Sequence, residues 1–250
     1  MRLAASPRRV LFFLTLIAAG TLAVPALAQD ISINLGQGNG GVTERAIQLV
    51  ALLTVLSIAP SILIMMTSFT RIVVVLSLLR TALGTATAPP NAVIIALAMF
   101  LTAFVMAPVL QKSYDEGVKP LVANQLSVED ALQRAAVPLR SFMQKNVREK
   151  DVKLFMDMSG EPPPASPEEM SLRILVPAFM ISELKRAFEI GFLLFLPFLI
   201  IDLVVASVLM SMGMMMLPPV VVSLPFKLIF FVLVDGWSLV AGSLVQSYGG

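Results

Sequence analysis

The sequence predicts an all-α fold of membrane-associated helical hairpins with a polar helical insert between them, and three observations carry that prediction. The chain is 57% hydrophobic and only 14% charged, too few polar groups to cover a water-facing surface. Its apolar residues come in long blocks instead of at core-like spacing. Four stretches are long enough to cross hydrocarbon: about Ala46 to Met66 (running on past Arg71 to Leu79), Asn91 to Leu110, Ile190 to Met210 and Met216 to Val245. The polar stretch between the second and third reads mostly as helix from the spacing of its apolar residues.

Composition also removes whole classes of chemistry. There is no Cys and no His, which excludes disulfides, thiolate nucleophiles, the usual zinc ligands and the side chain that most often moves protons near neutral pH. No catalytic residue, cofactor or metal is expected. The pI near 9.1 points to a basic protein only while Arg2, Arg8 and Arg9 are counted. Dropping those three from 18 basic residues, against 16 acidic ones, leaves a net charge of −1. Binding to nucleic acid needs a basic stripe, so no such partner is expected.

Taken in order, residues 1–28 have the parts of a secretory signal: Arg2, Arg8 and Arg9, the apolar run Val10 to Val24, then Ala26-Leu27-Ala28. Cleavage is expected between Ala28 and Gln29. The competing reading is an uncleaved membrane helix, for which the run is short of the roughly 20 residues a span requires. Residues 29–45 read as a flexible periplasmic tether. Gly36, Gly38 and Gly41 formally match G-x-G-x-x-G, but no acidic residue follows at the required distance and no βαβ unit surrounds them, so the nucleotide reading is rejected. Residues 46–110 form the first apolar hairpin. With Gln29 outside the cytoplasm, the turn carrying Arg71 and Arg80 falls inside, in keeping with the positive-inside bias. The same alternation puts Gln111 to Phe188 outside, the loop near Met212 inside and the C-terminus outside.

In the insert, residues 111–189, Ser127 can cap a helix on which Val128, Leu132, Ala135, Leu139 and Phe142 recur at spacings of three and four. Pro138 is expected to bend or split it. Glu161-Pro162-Pro163-Pro164 is a stiff break, and Ser166 with Glu169 forms a capping box that opens the next helix, with Pro177 inside it. Phe142 and Phe155 stand out in this charged segment, either as the core of a small helical module or as subunit-interface anchors.

Charges also lie within or beside the apolar runs, at Arg71, Asp202, Lys227 and Asp235. An ionised side chain at mid-bilayer costs about 2.5–3.5 kcal/mol, so these groups are expected to face protein or a water-filled space, or, for Arg71, to snorkel from a span end. Glu183, Lys185, Arg186 and Glu189 crowd before the third run. Lys185 and Glu189, four residues apart, can neutralise each other, and Glu183 is expected to meet Lys227 across a subunit boundary. The second hairpin, residues 190–250, contains Met210-Ser211-Met212-Gly213-Met214-Met215-Met216, ended by Leu217-Pro218-Pro219. Gly213 and the prolines place a turn there, so the methionines crowd at a hairpin tip. Flexible thioethers brought together by symmetry would close a pore against ions yet yield to a passing chain. A lipid-dipping tip is the plainer reading.

The run Pro177-Ala178-Phe179-Met180-Ile181-Ser182-Glu183-Leu184-Lys185-Arg186-Ala187-Phe188 resembles the signature of the FliP family of type III protein export gate subunits. The similarity continues through Gly191-Phe192, Pro197-Phe198, Ile201-Asp202, the methionine loop and Leu224-Pro225-Phe226-Lys227. Upstream, Thr67-Ser68-Phe69-Thr70-Arg71-Ile72 and Gly84-Thr85-Ala86-Thr87-Ala88-Pro89-Pro90-Asn91 are similar to that family's first hairpin. The resemblance implies a pentamer joined by FliQ and FliR subunits and other export apparatus membrane proteins. It implies a location in the bacterial inner membrane at the flagellar basal body, with parts lifted toward the periplasm, and passage of unfolded flagellar export substrates. The hairpins are then bent and packed in an oligomer instead of upright in lipid. The family's methionine gasket maps onto Met210, Met212, Met214, Met215 and Met216. A cleavable signal favours the flagellar branch over an injectisome-type gate subunit. Two rival functions are a small-solute transporter, which would show repeated halves with broken helices, and an intramembrane protease using Asp202 and Asp235; no internal repeat and no catalytic motif supports them.

Overall fold

The computed structural model describes residues 47, 49–50, 53–54, 57–58, 61–62, 64–85, 87–160, 166, 169–214 and 216–249. The expected signal with its Ala28/Gln29 junction, the tether, Glu161 to Pro164 and Met215 lie outside the described residues. The chain forms two units, Met1–Leu53 and Thr54–Gly250, and the packed core belongs to the second. Among the described residues the fold is all-α, with no strand.

The first apolar stretch does not continue to Leu79 as one helix. At Met66-Thr67-Ser68 the Thr67 hydroxyl donates to the Ile64 carbonyl (3.1 Å) and accepts from the Phe69 N–H (3.4 Å). A short polar side chain that serves the local backbone in this way competes with the helical ladder. Helix α1, Phe69–Leu83, follows. At about 1.5 Å per residue it is roughly 22 Å long, short of the roughly 30 Å of bilayer hydrocarbon. Its Ile72, Val75, Leu76 and Leu79 are fully buried, so α1 is the rod around which the other helices pack. It stops at Gly84, whose φ of 78° lies in the left-handed region open to glycine. Arg80 then ties down the connection to α2, Asn91–Ser113, by donating to Asn91 Oδ1 (2.5 Å) and the Pro89 carbonyl (3.3 Å).

Helix α2 continues through a π-helical turn, Tyr114–Val118, into the single turn of α3, Lys119–Val122. The wide turn sets Gly117 hard against α4, Val128–Asn146: a Cβ at 117 would lie 2.6 Å from the Ala131 carbonyl oxygen and 2.6 Å from Ala135 Cβ. The Ser127 hydroxyl caps α4 by accepting from the Asp130 N–H (3.1 Å). Of the bend or split expected at Pro138, the split does not occur: the helix runs through it as one element. Its inward face also differs from the expected stripe, since Ala131, Pro138, Met143 and Asn146 are buried while Val128 and Leu132 are exposed. Ala131 and Ala135 are the α4 residues that the bare backbone of Gly117 admits.

Helix α5, Glu149–Ser159, lies on the first turns of α6, Leu172–Ser211. The Ser166/Glu169 box does not open α6. Glu169 N–H donates to the Ser166 carbonyl (3.1 Å) in a separate turn, and the helix begins at Leu172, where the Ser171 hydroxyl accepts from the Arg173 N–H (3.3 Å). From there α6 runs 40 residues, about 60 Å, with Pro177 and Pro197 inside it and no break at the 189/190 junction. Helix α7, Pro219–Leu233, and helix α8, Gly236–Gly249, follow with a 62° bend between them.

The core has three centres, and α6 contributes to all of them. Ala187 and Phe198 join the α1-centred cluster with Ile94, Phe231 and Leu244; Leu175 and Phe179 pack on Met143; Ile174 and Ala178 pack on Val152. Two helices among the described residues are long and apolar enough to cross a membrane, Asn91–Val122 and α6, or three if α7 and α8 form one broken span. Four were expected; of the remaining stretch, Ala46 to Met66 is only partly described, and its continuation α1 is enclosed by protein. Only 17% and 11% of the apolar windows of the two long helices are buried by the chain itself, so most of that surface needs lipid or another polypeptide against it.

The Gly117 contact makes a direct prediction. Gly117→Ala should lower stability by about 1–3 kcal/mol, seen as an earlier denaturation midpoint in detergent. Gly242→Ala, whose Cβ would meet nothing within 4 Å, should leave the midpoint unchanged or slightly raised.

Candidate functional site

The methionine segment forms the tip of the α6–α7 hairpin. Met214 N–H donates to the Leu209 carbonyl (3.0 Å) and Gly213 N–H to that of Met210 (3.1 Å), with Gly213 at φ 74°. This pair of bonds closes a helix over a left-handed glycine, and Pro219 opens α7 at a position where its missing N–H costs nothing. The side chains of Met210, Met212, Met214 and Met216 are all exposed, Met216 almost completely at 99%. No charged residue lies between Asp202 and Lys227, so the whole tip is neutral.

The first charge on each arm of that neutral hairpin pairs with the other. Lys227 Nζ lies 2.7 Å from Asp202 Oδ2, and the Ser223 hydroxyl donates to Asp202 Oδ1 (2.6 Å). Lys227, only 4% exposed, also donates to the Ala82 carbonyl (3.2 Å) in the last turn of α1. A cation there satisfies an orphan carbonyl and the negative end of the helix dipole. The hairpin is thereby clamped shut and tied to the core rod. Asp235 sits apart, exposed in the turn between α7 and α8.

Glu183 is fully buried on α6, and Arg71 on α1 is 1% exposed. Arg71 Nε donates to Glu183 Oε2 (3.0 Å) and Nη2 to Oε1, a two-pronged ion pair. The Tyr248 hydroxyl of α8 donates to Glu183 Oε2 as well, while Arg71 Nη1 donates to the Ser247 hydroxyl (3.0 Å) and lies against its carbonyl (3.4 Å). The guanidinium carbon stands 3.8 Å above the Tyr248 ring. Phe142 of α4 stacks on that ring (5.8 Å between centroids) and meets Phe179 edge-on. Four helices therefore meet at one buried charge pair.

Glu183 and Lys227, expected to face each other between subunits, thus sit in two separate pairs within the chain. Phe142 packs at the charge node, and Phe155 packs half-buried with Val152, Ile174 and Ala178. Lys185 and Glu189 do approach each other, at 3.6 Å on the exposed side of α6. Sequence reasoning passed over Tyr248 and Ser247. The available signal was the spacing Gly236, Val240, Leu244, Tyr248, one buried residue per turn of α8.

A third polar contact joins the insert to α6. The Ser182 hydroxyl donates to Asp151 Oδ2 (2.6 Å) and accepts from the Arg148 N–H (3.0 Å), and the Arg148 guanidinium grips the Asp151 carboxylate at 2.8 and 2.9 Å. Burial alone would push the Asp151 carboxyl up, but Ser182 and Arg148 outweigh it and hold the group below the usual carboxylate range.

Two predictions follow from these contacts. Arg71→Met or Glu183→Gln alone should cost about 3–5 kcal/mol, because each strands its partner in the core, while the double variant should recover much of the loss in a double-mutant unfolding cycle. Asp151 has a folded pKa below its unfolded value of about 3.9. Its contribution is present above that value and vanishes as pH falls through the lower folded one. Asp151→Asn should therefore narrow the stability gap between pH 6 and pH 3 in thermal melts.

The FliP family profile matches residues 52–244. The flagellar biosynthetic protein FliP of Caulobacter vibrioides is 61% identical over 240 residues, covering 96% of this chain and 90% of the relative. Its counterpart in Bacillus subtilis is 56% identical over 205 residues (82% and 93%), and that of Aquifex aeolicus 51% identical over 220 residues (87% and 91%). With a family match spanning most of the chain and relatives at this identity along nearly their own full length, the chain belongs to the FliP family.

Proposed function

We propose that the chain is a non-enzymatic subunit of the flagellar type III protein export gate, several copies of which, five by family resemblance, enclose with FliQ and FliR a conduit for unfolded flagellar proteins. The site is the bacterial inner membrane at the flagellar basal body, with parts facing the periplasm, among the other membrane proteins of the export apparatus. In this reading Met210, Met212, Met214, Met215 and Met216 form the seal. The observation that carries it is the hairpin tip itself: a neutral, methionine-rich loop exposed beyond a clamp of two paired charges. A core role for Met210, Met212, Met214 and Met216 is disfavoured by their exposure, and thioether chains can pack against one another or against a passing polypeptide with little rotamer strain. The outward apolar surface of α2 and α6 supports packing against further chains, and the names of the relatives support the flagellar branch. In such an assembly the helices that carry Glu183, Lys227, Phe142 and Phe155 lie at the subunit boundaries, and the two charges keep the partners each holds within its own chain.

Replacing Met214, Met215 and Met216 with glycine tests the seal. Cells expressing the assembled complex should show raised conductance to small ions, with complex abundance unchanged on a native gel. A leak no greater than wild type in an intact complex would remove the gasket role.

A further inference from the structure

Helix α8 is attached to the rest of the chain at its two ends and by a narrow stripe between them. At the first end, Val234-Asp235 makes the 62° turn from α7. Asp235 has φ 49°, a left-handed conformation that side-chain-bearing residues rarely adopt. Next to it, Gly236 leaves room for the Phe231 ring, which a Cβ would meet at 2.1 Å. Along the helix the buried residues are Gly236, Val240, Leu244 and Tyr248, while both flanks face outward. The polar bonds from α8 side chains to other helices, among the described residues, all come from its last turn. The Tyr248 hydroxyl reaches Glu183 and the Ser68 carbonyl (3.4 Å), and the Ser247 hydroxyl holds Arg71.

We propose that α8 is a hinged arm that pivots at Val234-Asp235, and that the buried Arg71–Glu183 pair is the catch holding its tip. A sharp turn, a one-residue-per-turn apolar stripe and polar anchorage confined to the far end together make the tip the place where opening begins. When the arm swings, Glu183 loses the phenol and Arg71 loses Ser247, so both charges keep each other but gain open valence for a group from another chain. The same motion uncovers Leu244 and removes one wall of a groove of about 550 Å³, where Val245, Tyr248 and Gly249 face Phe104, Pro108 and Lys112. The catch thereby decides when the charge pair becomes reachable.

The absence of cysteine lets single introduced thiols report on individual positions. Leu244→Cys and Val240→Cys lie on the arm, and Leu175→Cys lies in the cluster around Met143; all three positions are buried. Each is placed in the full-length protein in detergent, with and without Tyr248→Phe, and its modification by a water-soluble maleimide is timed. Loss of one buried hydrogen bond to a charged group should accelerate labelling at Leu244→Cys about tenfold. Val240→Cys, nearer the pivot, should gain less, and Leu175→Cys should not change. Ser247→Ala, which leaves the aromatic packing intact, serves as the milder second variant and should give the same ranking. Equal acceleration at Leu175→Cys would mean the whole fold has loosened, and an unchanged Leu244→Cys rate in both variants would mean the tip is no catch; either result overturns the proposal.

Discussion

Glu183 has no contact with water, and a carboxylate in that position is tolerable only if its charge and both its oxygens are satisfied. Arg71 supplies the opposite charge in a two-pronged grip, and Tyr248 supplies the remaining donor. Much of the architecture is a consequence of that requirement. Arg71 fixes the rotation and register of α1 against α6, Tyr248 fixes the position of α8, and Phe142, stacked on the same ring, brings in α4. Such a pair adds little net stability over a well-packed apolar alternative, because desolvating two ions offsets most of their attraction. Its effect is selective: helices of nearly uniform apolarity could slide past one another at small cost, but only one register closes this pair.

The clamp at Asp202 and Lys227 applies the same logic to the second hairpin. Between these residues the chain carries no charge, so nothing within the tip could choose an alignment for the two arms. The ion pair and the Ser223 hydroxyl make that choice, and the additional bond from Lys227 to the end of α1 hands the position of the tip back to the core rod. Methionine, which by itself specifies little, is thus held out on a rigid stem. The proposed seal at the tip and the ordering contacts at the stem are thus separated along the chain.

Local chemistry was readable from residues alone. The Ser127 cap, the turn at Gly213, the Pro177-bearing helix and the Lys185–Glu189 neighbours all depend on residues a few positions apart, and the apolar blocks announced an all-helical membrane-associated chain. Partner choice was not readable. Arg71 and Glu183 are 112 positions apart, and several charges of each sign sit in similar apolar surroundings, so composition cannot say which pair meets. The length of α6 was obscured for a related reason. Glu183 to Glu189 looked like the border of an apolar span, whereas the helix continues through it with Glu183 turned inward and Lys185 and Glu189 outward. The close approach of α4 at Ala131 and Ala135 was hidden because it depends on Gly117, a residue in another element whose importance is the absence of a side chain.

The reach of α6 has a consequence for the life of each copy. A rod of about 60 Å is twice as long as the oily layer is thick, at roughly 30 Å, and tilting alone absorbs only part of such a surplus. The surplus is its first half, where the outer flank mixes Ile181, Leu184 and Phe188 with Lys185 and Glu189, a surface unsuited to hydrocarbon along its whole length. In the proposed assembly, a newly made copy leaves the apolar flank of α6 uncovered by protein until neighbours pack on it, the kind of bare surface that membrane proteases and chaperones survey. In that reading, how long a copy survives depends on the supply of its neighbours as well as on its own fold, which would tie the abundance of the assembly to balanced synthesis of its parts.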